Sequence, residues 1–301
     1  MISIRAMTAG DIPAGLLLCR ASGWNQTERD WQYFLTAAPD GALVAEENGI
    51  VIGTVATLPY GPFAWIAMVL VDPKARGRGV GTLLLHRGVA LVPKGAAARL
   101  DATPAGEALY RQLGFVAEYG LARWFLDASA SRLVHASGAR RFERSDWPAV
   151  RALDLRAFGA SRVGLLERLA EEAPQYAWVL EGNRGGLRGF LFGRHGHVRE
   201  HLGPLVADSH ESARLLLESC LASQPDRAVF IDVPALGPDL DFSSLSKNRD
   251  LTPVDDHAAW RDALSLAGFT VERPFVRMYR GQLTARGDPS LSFAICGPEF
   301  G

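Results

Sequence analysis

Cysteine is scarce in this sequence. Its three copies among 301 residues are Cys19, Cys220 and Cys296, and no two of them form a Cys-x-x-Cys pair. An odd number of widely spaced cysteines fits neither a disulfide framework nor a zinc-binding cluster. We therefore expect three buried, free thiols and no metal.

The chain also has almost no net charge and no long apolar run. Lysine and arginine number 32 against 33 aspartates and glutamates, and this balance argues against nucleic acid as the main partner. No apolar stretch reaches the ~18 residues that a membrane-spanning helix requires. The first residues, Met-Ile-Ser-Ile-Arg-Ala-Met, lack the apolar core of a signal peptide. We expect a cytoplasmic protein without a membrane partner.

Positive charge is concentrated in residues 72–99. This segment contains six lysines and arginines but one acidic residue, which gives it a net charge of +5. A local excess of this size favours a ligand that carries several phosphates.

The same region has a strand–loop–helix pattern. Met68–Val71 is a short apolar run typical of a buried strand, Asp72-Pro73 ends it, and an apolar helical segment begins near Gly79. The loop between them contains Arg76, Gly77, Arg78, Gly79 and Gly81. Glycines let backbone N–H groups approach a ligand closely, and the N-terminus of the following helix adds roughly half a positive charge there. The pattern predicts an anion-binding loop, because a plain turn has no need of arginines beside its glycines.

The glycine spacing differs from that of the P-loop and of the dinucleotide-binding loop. Arg76, Gly79 and Gly81 instead match the pattern Gln/Arg-x-x-Gly-x-Gly/Ala. In this the sequence resembles the GNAT superfamily of acyl-CoA N-acyltransferases, whose pyrophosphate loop has that pattern. The resemblance implies acetyl-CoA as the acyl donor, with the pantetheine arm along a splayed strand and the pyrophosphate in the loop. The residues implied are Val69, Leu70, Val71, Arg76, Gly77, Arg78, Gly79, Val80, Gly81 and Thr82.

An internal repeat runs through the chain at a spacing of 135 residues. Asp11-Ile12-Pro13-Ala14, which is typical of a helix start, recurs as Asp146-Trp147-Pro148-Ala149. Val44-Ala45-Glu46, a strand leading into a hairpin, recurs as Val179-Leu180-Glu181. Matches at one spacing indicate a duplication. The fold class we expect is mixed α/β, with two tandem GNAT-like domains at residues 1–128 and 139–301, each a mostly antiparallel splayed sheet flanked by helices. A segment near Ser129–Gly138 joins them.

The second copy departs from the first where the loop should be. The leucines of the following helix recur at a spacing of 132, so the loop is three residues shorter, and its glycines have no counterparts. Leu264 stands where Tyr110 would map, and the polar stretch from Leu236 to Asp256 is an expected surface-loop insertion. We expect the second copy not to catalyse. It would complete the acceptor pocket or cover the face that a dimer partner covers in single-domain relatives.

Tyr110 is the candidate general acid. Thr103-Pro104 predicts a helix start and Gly114 the helix end. Tyr110 lies four residues before that glycine, where the resemblance implies a tyrosine that protonates the leaving thiolate; a half-buried structural tyrosine is the alternative. Many relatives carry asparagine where Thr103 stands, so a cofactor contact there is not implied.

The general base is less well marked. Asp101 ends the strand beside the expected splay and is the first candidate, and a water chain is equally possible. For the acceptor, the loop residues Trp24, Asn25 and Gln26 offer a flat wall and amide hydrogen bonds, although a core tryptophan beside a turn would give the same pattern. Gly193–His197 could face that pocket, but a hairpin turn is the simpler interpretation.

Together these features predict an N-acetyltransferase that moves an acetyl group from acetyl-CoA to an amine of a small molecule or amino acid, by direct transfer in a ternary complex. It would be a monomer or homodimer. A non-catalytic acyl-CoA-binding regulatory module and a protein-lysine acetyltransferase are the alternatives.

Overall fold

The computed structural model describes residues 1–128, 138–182, 186–224, 226–235 and 256–301. The predicted joining segment and the predicted insertion lie almost entirely outside these described residues. The first half contains β1 (Ile2–Ala6), α1 (Ile12–Ala21), α2 (Glu28–Ala37), β2 (Ala42–Glu47), β3 (Ile50–Pro59), β4 (Phe63–Val71), α3 (Val80–Ala90), β5 (Ala97–Ala102), α4 (Pro104–Gln112) and β6 (Val116–Leu126).

The second half repeats this order. It contains β7 (Ala139–Arg141), α5 (Trp147–Phe158), α6 (Val163–Glu172), β8 (Trp178–Glu181), β9 (Leu187–Arg194), β10 (Glu200–Ala207), α7 (His210–Ala222), β11 (Val229–Ala235), α8 (Asp256–Leu266), β12 (Thr270–Arg280) and a further strand, β13 (Ser292–Ala294). In the described ranges, none of the helices has the length and apolarity that crossing a membrane demands.

The predicted repeat is visible in matching ion pairs. Asp11 precedes α1 and accepts from Arg5 at 2.7 Å, and Asp146, 135 residues later, precedes α5 and accepts from Arg140 at 2.8 Å. Each arginine also binds a glutamate at the end of the neighbouring strand. The same short motif therefore fixes the first helix of both halves against the sheet.

The described strands form one continuous sheet, in which the two halves exchange their closing strands. Its order is β1-β2-β3-β4-β5-β12-β6-β11-β10-β9-β8-β7. The closing strand of the second half, β12, pairs with β5 of the first, and β6 of the first half pairs with β11 of the second. The proposed domains of residues 1–128 and 139–301 thus interlock at the centre of the sheet.

Helices cover both faces of the sheet. On one face, α1 and α2 share an apolar core with α5 and α6, which joins the halves. On the other face, α3 and α4 cover the first half, and α7 and α8 the second. Gly88 lets α3 pack closely, because a Cβ there would lie 2.9 Å from Val55 Cγ2. This close packing fixes the start of α3 beside the end of β4.

Candidate active site

Strands β4 and β5 diverge as predicted. Their parallel pairing covers only Phe63–Trp65 against Ala97–Arg99. Beyond that point β4 carries a bulge, where Met68 has φ 53° and its carbonyl accepts from Thr54 Oγ1 at 2.7 Å. Backbone groups from Ile66 to Val71 have no ladder partner in β5, so they line a gap that can receive an extended ligand.

The glycine loop leads from this gap into α3. Gly77 and Gly79 have φ values of 74° and 79°, and a Cβ on either would meet open space. Gly79 is the N-cap of α3, so the first-turn amides of Val80, Gly81 and Thr82 are available to an anion. This is the geometry of an anion-binding loop.

The two loop arginines have different hydrogen-bond partners. Arg78 forms a bidentate ion pair with Glu47, at 2.7 and 3.0 Å, whereas Arg76 donates only to the carbonyl of Val71, at 3.2 Å. Glu47 is the last residue of β2. It closes the β2–β3 hairpin against the loop, and the Arg78 guanidinium lowers the pKa of its carboxyl.

A cavity lies at the open end of the gap. It brings together the candidates Trp24, Asn25, Gln26, Val69, Asp101 and Tyr110. The second half also contributes to its wall, with Arg273 and Phe275 of β12 and with Pro298 and Glu299. Thus residues of both halves line this cavity.

Tyr110 lies in this wall with its hydroxyl unengaged. Within the described part of the chain its hydroxyl forms no hydrogen bond, and its ring contacts Phe115, with centroids 6.0 Å apart. Burial raises the pKa of Tyr110 to about 12, so the phenol is protonated at neutral pH and can donate. Gly106 gives the ring room, because a Cβ there would lie 2.9 Å from Tyr110 Cε2.

Asp101 also lines the cavity, but it is bound tightly within the protein. Both of its oxygens accept from Arg277 of β12, at 2.8 Å each, and its side chain has no exposed surface. Burial raises the pKa of the Asp101 carboxyl, and the Arg277 guanidinium opposes that rise. To act as a base, Asp101 must accept a proton on an oxygen that already accepts a hydrogen bond from Arg277.

Two of the three acceptor-loop candidates, Asn25 and Gln26, play different parts. Asn25 is engaged with the turn between β9 and β10: it donates to the carbonyl of Arg199 at 2.8 Å and accepts from the amide of Val198 at 2.8 Å. Its amide therefore docks the loop rather than facing a ligand. Gln26 Oε1, in contrast, is buried without a hydrogen-bond partner.

The gap of the second half is already filled. Strands β10 and β11 pair only at two positions and then diverge, as β4 and β5 do. Strand β13 pairs with β10 inside the opening, and the amide of Ile295 donates to the carbonyl of Asp232 in β11 at 2.9 Å. The chain itself thus occupies the place that corresponds to the open gap of the first half.

The segment that follows β13, residues 295–301, was not singled out by the sequence. It crosses to the first half, where the carbonyl of Pro298 accepts from Trp65 Nε1 at 2.9 Å and that of Phe300 from Tyr60 at 3.1 Å. Glu299 Oε1 accepts from Arg194, while Glu299 Oε2 is buried without a partner. No local pattern marks Glu299, because tertiary packing alone brings it to the cavity.

Arg194 is the centre of a buried charge cluster. Besides Glu299, it contacts Asp30 at 3.2 Å and His201 Nδ1 at 2.9 Å. Burial and the neighbouring Arg194 lower the pKa of His201, so this imidazole is neutral at pH 7. The expected hairpin turn at Gly193–His197 is present, and its first arginine also anchors the cavity wall.

Comparison with known proteins identifies the family. The family models described as "Acetyltransferase (GNAT) family" and "Acetyltransferase (GNAT) domain" match residues 16–115 and 150–259. The chain is 26% identical over 227 residues to an uncharacterized N-acetyltransferase, YitH, of Bacillus subtilis, across 74% of this chain and 79% of the relative.

Solved structures have the same fold. A putative acetyltransferase from Pyrococcus horikoshii superposes with a TM-score of 0.79 at 23% identity, covering 100% of this chain and 96% of that one. A GCN5-related N-acetyltransferase from Sphaerobacter thermophilus gives 0.64 at 17% identity, covering 97% and 98%. With both halves matched by GNAT models, the chain belongs to the GNAT superfamily as a tandem two-domain acetyltransferase.

Proposed function

We propose that this protein transfers the acetyl group of acetyl-CoA to the amine of a small molecule, directly, in a ternary complex formed by the first copy. One observation carries the proposal. The open gap, Tyr110 with its free hydroxyl, and two residues that each have an unpartnered acceptor atom, Gln26 and Glu299, meet at a single cavity.

The cofactor would lie along β4 and the loop. Backbone groups of Val69, Leu70 and Val71 would bind the pantetheine arm and the thioester carbonyl, and the loop from Arg76 to Thr82 would hold the pyrophosphate. An N–H aimed at the carbonyl oxygen stabilises the oxyanion that forms on attack, and one such donor is typically worth about 10²–10³-fold in rate. Acetyl-CoA is the donor that GNAT enzymes use.

The chemistry follows from these positions. The neutral amine attacks the thioester carbon, a C–N bond forms, and the tetrahedral intermediate expels CoA thiolate as the C–S bond breaks. Tyr110 donates its proton to the sulfur, and a base accepts the proton that the nitrogen loses. The products are an amide and free CoA thiol.

Two carboxylates of the cavity are candidates for the base. Both oxygens of Asp101 are held by Arg277, whereas Glu299 has one oxygen free. The geometry favours Glu299 as proton acceptor, and Asp101, the candidate from sequence, would then orient Arg277. Comparing Asp101→Asn with Glu299→Gln separates them, because loss of the true base is rescued at a pH where the amine is already neutral.

The narrow cavity favours a small acceptor over a protein lysine. The segment at Pro298-Glu299 covers the site, and the free volume inside is about 40 Å³. A volume of this size holds only a few water molecules, so side chains of the wall move aside when an acceptor binds, and a small acceptor requires the least displacement.

Thiol release tests the proposal. Acetyl-CoA is incubated with the protein and a panel of small amines, and free CoA thiol is measured with a thiol reagent alongside the acetylated product by mass spectrometry. We expect both to appear in equal amounts. Binding of acetyl-CoA without thiol release for any amine would contradict the proposal and support a regulatory acyl-CoA-binding module.

A further inference from the structure

The cavity contains unsatisfied polar atoms of both kinds. Gln26 Oε1 and Glu299 Oε2 are buried hydrogen-bond acceptors without a donor, and Arg273 Nε is a buried donor without an acceptor. Buried polar atoms without partners cost free energy, so a ligand that satisfies them would be stabilised in this cavity.

The two arginines of this wall differ in their pairing. Arg123 forms a bidentate ion pair with Asp232, at 2.7 Å for both bonds. Arg273, on the part of β12 that extends past the end of β5, forms no ion pair or hydrogen bond within the described residues, and its guanidinium only lies over the ring of Phe275, 5.1 Å from the centroid. An unpaired guanidinium can donate two parallel N–H bonds, which match the two oxygens of a carboxylate.

The acceptor atoms match an amine in the same way. An ammonium group has donors and no acceptor, so it satisfies an amide oxygen and a carboxylate oxygen. Glu299 and Gln26 thus form a site for a positive group, and Arg273 a site for a negative one. A ligand with only an amine would leave Arg273 unpaired.

We propose that the acceptor is an amino acid, whose amine binds between Glu299 and Gln26 and whose carboxylate binds Arg273. This inference rests on the proposed acetyl transfer and names the substrate class of that same site. A zwitterion also suits the charge of the surroundings, since each of the carboxylates Asp30, Asp232 and Glu299 faces an arginine.

Pairs of acceptors that differ only in the carboxylate test this inference. L-Alanine is compared with ethylamine, L-histidine with histamine, and L-phenylalanine with 2-phenylethylamine, by kcat/KM from thiol release. We expect the wild-type protein to favour the amino acid of the reactive pair by about 10–100-fold, the usual worth of a hydrogen bond to a charged group.

Variants assign that preference to one residue. Arg273→Gln should reduce the preference to within a few-fold of unity, because kcat/KM for the amino acid falls, mainly through KM, by much more than kcat/KM for the matched amine. Arg273→Lys, which keeps the charge and loses the fork, should give an intermediate preference. Arg280→Gln, on the same strand but exposed, is the matched control and should behave as wild type.

The possible failures are distinguishable. Thiol release with amines and amino acids alike, without preference, overturns the amino-acid assignment and leaves acetyl transfer intact. An equal loss for both members of a pair in Arg273→Gln also overturns it, because Arg273 would then be structural. Absence of thiol release with every acceptor overturns the proposed function and this inference with it.

Discussion

At the scale of single residues, the hydroxyl of Tyr110 is the group on which the proposed chemistry depends. Tyr110→Phe removes only that hydroxyl and keeps the contact with Phe115. We expect kcat to fall by about 10²–10⁴-fold, the usual contribution of a general acid, with acetyl-CoA affinity unchanged. Steady-state kinetics and a binding titration measure the two effects.

A matched control is Tyr279→Phe, because this tyrosine lies on β12 outside the cavity wall. It should leave kcat within a few-fold of wild type. Full turnover by Tyr110→Phe would show that the hydroxyl has no part in the chemistry and that Tyr110 is a helix residue packed for structure.

The identity of the general base is a second question at the scale of residues, and the sequence alone does not answer it. Tyr110 and Asp101 could be predicted because each lies next to a local signal, a helix-ending glycine or a strand end. Glu299 and Arg273 could not, since they lie far along the chain and reach the cavity only through tertiary packing. The hydrogen bonds that Asp101 accepts from Arg277 could not be predicted for the same reason.

At the scale of elements, the proposed cofactor binding depends on the loop before α3. Gly79→Asp places a carboxylate where a pyrophosphate should lie, at a position where a Cβ meets open space but φ is 79°. We expect acetyl-CoA binding to be lost while the protein stays folded, as measured by calorimetry and circular dichroism.

Gly61→Asp is the control for the backbone strain that a residue other than glycine causes at a positive φ. Gly61 has φ 89° with open space around its Cβ position, but it lies in the turn between β3 and β4, at the other end of the strand. It should bind acetyl-CoA as wild type does. Unchanged affinity in Gly79→Asp would mean that the loop is not the pyrophosphate site.

Helix α4 provides a second test at this scale. Gly106→Ala should stabilise the helix by about 1 kcal/mol through propensity, yet its Cβ would lie 2.9 Å from Tyr110 Cε2 and displace the ring. We expect kcat to fall without loss of acetyl-CoA affinity, and no additional fall when Gly106→Ala is combined with Tyr110→Phe. Additive losses in the double variant would separate Gly106 from Tyr110.

At the scale of the whole molecule, the exchange of β6 and β12 joins the two copies. It creates two reciprocal buried ion pairs, Asp101 with Arg277 and Asp232 with Arg123, each between the halves. The duplication could be read from the sequence because matched residues recur at one spacing. The exchange could not be read from the sequence. The strands of the two halves that could pair with β6 or β12 have the same apolar pattern, so either pairing would bury these closing strands.

Asp232→Asn tests how much that connection contributes. Removing one member of a buried pair leaves Arg123 uncompensated, so we expect a loss of about 3–5 kcal/mol in the free energy of unfolding at pH 7, measured with denaturant. A loss below about 1 kcal/mol would contradict a structural role for the pair.

The same substitution changes the pH dependence. Arg123 and its hydrogen bonds hold the pKa of Asp232 well below its ordinary value, although burial opposes them. A carboxyl with a depressed pKa in the folded state contributes stability above its unfolded pKa of about 4, and loses it as pH falls further. Wild type should therefore lose more stability than Asp232→Asn below about pH 4, whereas between about pH 7 and 5 this group should make no difference.

The central claim is that the first copy binds acetyl-CoA and the second cannot, because β13 fills its gap. Isothermal titration of the full chain with acetyl-CoA tests this most directly. The account predicts one site per chain, absent from Gly79→Asp. Two sites per chain, or a site that survives in Gly79→Asp, would contradict it.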